Sequence, residues 1–174
     1  MQTPSETPLA GEIGPSFNSI ARPLDVRLMQ INLGAWCNQS CRHCHVDASP
    51  KRTETMGVAV ADRCLAIIAE TPSIEVVDLT GGAPEGHEQF RRLAAGARSL
   101  GRRVIDRCNL TILSEPGYES LADFLAEQRV EITASLPCYL EENVDAQRGD
   151  GSFQSSLDGL RKLNALGYGL PGSG

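Results

Sequence analysis

The chain has 174 residues, 41% hydrophobic and 22% charged, the make-up of one soluble globular domain. Its formal net charge of −6 argues against a nucleic-acid or anionic-membrane partner. No run of about 18 apolar residues occurs and the N-terminus lacks a basic-then-apolar signal, so neither a membrane span nor secretion is expected.

Residues 1–24 are rich in Pro, Ser, Thr and Gly with no sustained period and read as a flexible leader before a domain over 25–174. From there strands alternate with helices, the pattern of parallel βα units. A first strand is predicted over 27–33, ahead of a cysteine-rich loop. A first helix is predicted over 56–70, with Met56, Val60, Cys64, Leu65, Ile67 and Ile68 as its apolar stripe. The second strand, 74–79, is a nearly continuous apolar run, as a sheet buried on both faces requires, and ends in Thr80-Gly81-Gly82. The second helix, 88–100, turns Phe90, Leu93, Ala97 and Leu100 inward and stops at Gly101.

The third strand, 103–107, runs into Cys108-Asn109-Leu110-Thr111. The third helix, 118–128, carries Tyr118, Leu121, Phe124 and Leu125. The fourth strand, 130–136, ends at Pro137-Cys138, and a polar segment follows over 141–150. A fourth helix begins near Ser152 as N-cap and buries Phe153, Leu157, Leu160 and Leu163 before Gly167.

The loop after the first strand reads INLGAWCNQSCRHCHVD, and Cys37, Cys41 and Cys44 form C-x₃-C-x₂-C within it. Three thiolates so close together suit three irons of a [4Fe–4S] cluster, leaving the fourth iron open for chemistry. The other metal reading is zinc held by the three cysteines with His43 or His45, although such sites usually come as paired knuckles and no second C-x-x-C exists here. Neither reading needs disulfides from the six cysteines, and a reducing cytoplasm is the expected compartment. His45 and Asp47 are expected to shape the cluster loop, and His87 reads as surface.

In parallel βα folds ligands bind at the carboxyl ends of the strands. The cysteine loop, Gly81-Gly82, Cys108-Asn109 and Ser135 to Cys138 all fall at such ends. Cys64 reads as a core residue, whereas Cys108 and Cys138 divide evenly between packing and a place at the substrate.

C-x₃-C-x₂-C after a first strand resembles the radical S-adenosylmethionine (radical SAM) superfamily. The resemblance implies a partial (βα)₆ TIM-like barrel, a [4Fe–4S] cluster and S-adenosylmethionine (SAM) bound to the open iron, with one-electron cleavage to a 5′-deoxyadenosyl radical. Gly81-Gly82-Ala83-Pro84 resembles the superfamily's GGEP motif, whose backbone carbonyls accept from the SAM amine. Ala83 stands where the motif has Glu, and Glu85 is the candidate replacement. Ser135-Leu136 with Arg148-Gly149-Asp150-Gly151-Ser152-Phe153 is similar to the stretch whose Ser and Arg contact SAM, and an Arg fork suits its carboxylate. About four of six βα units are visible, so the chain is expected to be an N-terminal portion without strands five and six.

Several less generic stretches, among them VVDLTGGAPE, VIDRCNLTIL and ASLPCYLEENVDAQRGDGSF, are similar to the arsenosugar-biosynthesis radical SAM family. That resemblance implies transfer of the deoxyadenosyl group to a dimethylated arsenical, with a flavodoxin or ferredoxin as electron donor. Trivalent arsenic is thiophilic, so Cys108 and Cys138, with Asn109 beside them, are the candidate substrate-facing residues. A peptide or other small-molecule substrate, and a non-catalytic zinc or iron–sulfur module, are the alternatives.

Overall fold

The computed structural model describes residues 25–170, and the expected leader over 1–24 lies outside the described residues. Four parallel strands form one sheet in the order β1 (Leu28–Asn32), β2 (Val76–Thr80), β3 (Arg103–Asp106), β4 (Glu131–Ile132). Helices α1 (Val58–Glu70), α2 (Phe90–Ser99) and α3 (Leu121–Glu127) alternate with the strands, and α4 (Glu141–Arg148) and α5 (Ser152–Ala165) follow β4. Among the described residues no helix is long and apolar enough to cross a membrane.

Side-chain alternation gives the sheet two unlike faces. Met29, Ile31, Leu33, Val77, Leu79 and Val104 belong to the core, whose helix side supplies Ala61, Cys64, Ile68, Phe90, Leu93 and Ala97. The opposite face carries Leu28, Val76 and Ile105 together with Gln30, Asn32, Asp78 and Thr80, and it is polar toward the carboxyl ends of β1 and β2. The second strand is therefore not apolar on both faces. Asp78 is 1% exposed because Arg107 grips its carboxylate with three hydrogen bonds of 2.6–3.1 Å, joined by Gln30 Nε2 at 3.1 Å.

Three helices end in the same device, and two of them, α2 and α3, lead within a few residues into the next strand. At α2 the Gly101 N–H donates to the Arg98 carbonyl (2.9 Å) and Arg102 N–H to Ala97 (3.0 Å). Gly101 takes φ +77°, which a glycine accommodates without strain. Arg129 (φ +50°) does the same after α3 and Gly167 after α5, so that the predicted stops at Gly101 and Gly167 are observed. Pro72, two residues past α1, cannot continue that helix.

Five expectations are corrected. The helix over 56–70 starts at Val58, and Val60 is 54% exposed because the buried line runs Ala61, Cys64, Ile68. Leu100 lies beyond α2 and is 38% exposed. The fourth strand is short, but extended chain continues its ladder, Thr133 N–H donating to Asp106 (2.8 Å) and Ser135 N–H to Cys108 (2.9 Å). The polar segment over 141–150 contains α4, which buries only Val144. Ser152 does not cap α5. Gly151 is the N-cap, and the Asp145 carboxylate accepts from the Gly151 and Phe153 N–H groups at 2.8 and 2.9 Å. The buried face of α5 is small, Ser152, Ser156, Gly159 and Leu163, because a Cβ at Gly159 would stand 2.6 Å from the Leu110 carbonyl oxygen.

Candidate functional site

The cysteine loop is fixed by backbone before any ligand is considered. Leu33, at the end of β1, donates to Thr80 at 2.9 Å, and the chain then lies against the Gly81-Gly82 turn after β2. Gly82 N–H donates to the Gly34 carbonyl (2.9 Å) and Ala83 N–H to the Trp36 carbonyl (2.8 Å). A Cβ on Gly81 would come within 2.8 Å of the Gly34 oxygen, and one on Gly82 would collide with the Trp36 carbonyl. The two glycines are thus required to seat the loop.

Polar side chains stitch the loop to distant elements. Asn38 Nδ2 donates to Thr111 Oγ1 (2.9 Å) and Glu115 Oε1 (3.0 Å), and Gln39 Nε2 to Ser152 Oγ (3.1 Å). Arg42 N–H donates to the Gln147 carbonyl at the end of α4 at 2.9 Å. Arg52 braces the far side by donating to the Asp47 backbone carbonyl at 2.6 Å and carboxylate at 3.3 Å. Asp47 is consequently turned to Arg52 rather than to a cysteine sulfur.

The sulfurs receive N–H donors. Cys37 Sγ accepts from Gln39 N–H and from Asn109 Nδ2, both at 3.4 Å, and Cys44 Sγ accepts from Ala48 N–H at 3.3 Å. Burial pushes the Cys37 and Cys41 thiols up, while the Arg148 guanidinium pulls Cys41 back down.

All three cysteines line one cavity of about 300 Å³ at the carboxyl ends of the strands. Gly81, Gly82, Asn109, Ser135 and Arg148 line it with them, so five further residues singled out in the sequence converge on one place. His43 and His45 also reach it. Arg107 and Gln39 line it too, and sequence reasoning missed both. A charge directly after the apolar run of β3 was the available signal for Arg107. Arg148 Nη1 donates to the Asn109 carbonyl at 3.5 Å, whereas its Nε is buried without a hydrogen-bond partner.

Three predicted site residues lie elsewhere. Glu85 is 5% exposed and turns into the core, because the 3₁₀ turn Pro84–Gly86 directs it beneath the sheet. Cys108 is fully buried, since it has the parity of Val104 and Asp106 and shares their face. Cys138 stands on the loop before α4, where Leu140 N–H and Asn143 Nδ2 donate to its sulfur at 3.5 Å and lower the thiol's pKa. Cys108 and Cys138 therefore do not share the cavity. His87, expected at the surface, is half-buried and held at both ring nitrogens: its Nδ1 accepts from Gln89 N–H (3.0 Å), which leaves Nε2 to donate to Thr55 Oγ1 (2.7 Å).

Residues 31–170 match the family model of the Radical SAM superfamily. The chain belongs to that superfamily. The radical SAM family uses a [4Fe–4S] cluster and SAM as cofactors. Its fold matches crystal structures of Streptococcus suis SuiB with a TM-score of 0.63 at 16% identity, over 80% of this chain and 31% of that one. SuiB bound to S-adenosylmethionine gives 0.64 at 16% identity over 80% and 32%, and SuiB bound to precursor peptide SuiA gives 0.62 at 17% over 80% and 30%. The chain spans about a third of the length of these structures. No curated protein matches the sequence significantly.

The residues present fit the two cofactors of a radical SAM protein. Among the described residues the three cysteine sulfurs are not gathered within 4.8 Å of one another, the closeness a single ion would require. N–H donors aimed at Cys37 and Cys44 suit ionised sulfur. The orphaned Arg148 Nε, at the wall of the same cavity, suits the carboxylate of an amino-acid ligand.

Proposed function

We propose that this radical SAM chain carries the cofactor-binding part of an enzyme that joins a deoxyadenosyl group to a dimethylated arsenical, with an electron from a small flavodoxin or ferredoxin. The observation that carries the reading is where the distinctive stretches fall: VIDRCNLTIL supplies Arg107 and Asn109, and ASLPCYLEENVDAQRGDGSF supplies Ser135 and Arg148, to the cavity that holds the cysteine loop. When bound, the cluster and SAM supply the one-electron cleavage of a sulfonium.

The chain's own residues have separable tasks in this scheme. Cys37, Cys41 and Cys44 would hold iron, and Asn109 Nδ2 and the Gln39 N–H donate to the Cys37 sulfur. Arg148 and Ser135 orient the amino-acid end of SAM beside the Gly81-Gly82 turn. Arg107, fixed by its ion pair with the buried Asp78, places a guanidinium at the cavity wall. Cys138 lies outside that cavity, on the loop before α4, but it is the more exposed of the two candidate thiols, and its lowered pKa favours the thiolate that a soft arsenic centre prefers.

A peptide substrate is the second reading, since a neighbour with the same fold is seen with its precursor peptide. Mass spectrometry separates the two. The full chain, reconstituted anaerobically with SAM, a reductant and a dimethylated arsenical, should yield an adenosyl–arsenic product. 5′-Deoxyadenosine without any arsenic–carbon product contradicts the arsenical assignment.

A further inference from the structure

Alternation along β3 and the residues after it separates two sets of side chains. Arg107 and Asn109 reach the cavity of the cysteine loop, whereas Asp106 and Cys108 point to the other face of the sheet. There they meet Glu85, and one ligand atom from each of the three lies within 4.8 Å of the others. Glu85 is 5% exposed, and Asp106 and Cys108 are fully buried. None of the four carboxylate oxygens has a hydrogen-bond partner beyond these three residues, so the two carboxyls and the thiol face only one another. Two buried carboxyls and a thiol with only one another as partners are costly to ionise unless a positive charge answers them.

We propose that Glu85, Asp106 and Cys108 form a buried site for one divalent, borderline-soft cation of the zinc class, separate from the cysteine loop. The donor set selects the ion. A thiolate disfavours magnesium and calcium, which take oxygen, and two carboxylates disfavour copper(I). Zinc accepts both kinds, with bond lengths that place its ligands roughly 3.5 Å apart, inside the 4.8 Å that bounds the three ligand atoms here. Leu110 N–H donates to the Cys108 sulfur at 3.3 Å, the outer-shell bond that a metal-bound thiolate usually receives. Such an ion would tie the turn after β2, which carries Glu85, to the end of β3, which carries Asp106. Burial pushes all three groups up, and for Asp106 the neighbouring Glu85 charge adds to it, so loading the site releases protons.

The test is zinc content and coordination in the full chain. After anaerobic reconstitution and exposure to Zn²⁺, elemental analysis should find about one zinc per chain beyond the iron. That zinc should persist when Cys37, Cys41 and Cys44 are all changed to Ser, and fall to background in Asp106→Asn. X-ray absorption at the zinc edge on the unaltered chain should show one sulfur with the remaining ligands oxygen, which decides the matter even where a variant fails to fold. No bound zinc, zinc in a three-sulfur environment, zinc lost with the loop cysteines, or zinc retained in Asp106→Asn would each overturn the proposal.

Discussion

At Gly82 a single methyl group would be driven into the Trp36 carbonyl, and because the obstacle is backbone it cannot rotate aside. Gly82→Ala should cost at least about 1–3 kcal/mol of stability and reduce the iron retained by the cysteine loop, measured by thermal unfolding and iron content. An alanine variant with unchanged midpoint and iron would show the turn to be looser than the geometry implies. Asn109 acts more subtly, donating to both the Cys37 sulfur (3.4 Å) and Asn38 Oδ1 (2.8 Å). Asn109→Ala withdraws a hydrogen bond from a ligand sulfur, so the cluster's reduction potential should move to a more negative value in a redox titration followed by electron paramagnetic resonance. The same change also removes the 2.8 Å bond to Asn38 Oδ1, a loss of about 0.5–1.5 kcal/mol for this partly buried pair. These residue roles differ in how readable they were. The cysteines and glycines announce themselves by local spacing. Asn38 and Gln39 do not, because their partners Thr111, Glu115 and Ser152 are remote in the chain and only folding brings them near. Glu85 was misplaced for the opposite reason, since a carboxylate beside a ligand-binding turn reads as a ligand contact and not as a core residue.

Among the elements, the βα alternation and the stops at Gly101 and Gly167 were legible, for apolar period and glycine punctuation are local signals. Helix α4 was not. Its sequence EENVDAQR buries only Val144 and so shows no stripe; its place is set by Arg42 bonding to Gln147 and by Asp145 capping α5. The link between α5 and β4 gives a pH-dependent test. Past the end of α5, Tyr168 donates its hydroxyl to the Val130 carbonyl at 2.9 Å, and burial pushes its pKa up to about 12 from an ordinary 10.0. The folded state thus holds this proton more tightly than the unfolded chain. The contribution is complete below about pH 10 and is lost as pH rises from there through 12. Tyr168→Phe should cost about 0.5–1.5 kcal/mol at neutral pH and flatten that alkaline loss, read from denaturant unfolding across a pH series. An unaltered alkaline slope in the variant would remove Tyr168 from the account.

For the molecule as a whole, the sheet sorts its chemistry by face and by end. One face is packed by helices, and the proposed zinc site sits within that packing. The other face turns polar toward the carboxyl ends of β1 and β2, and the loops at that end gather the cysteine loop, the glycine turn, Ser135 and Arg148 around one cavity. The parallel order β1-β2-β3-β4 produces this convergence, because every strand delivers its following loop to the same end. What holds the reading together is a three-cysteine cluster with one iron left for SAM. The most direct measurement is iron and acid-labile sulfide content of the full chain after anaerobic reconstitution, with 5′-deoxyadenosine assayed on the same sample. About four irons and four sulfides per chain, with 5′-deoxyadenosine formed from SAM and lost in Cys41→Ala, is the predicted result. A single divalent ion held by the cysteine loop, with no sulfide and no 5′-deoxyadenosine, would contradict it.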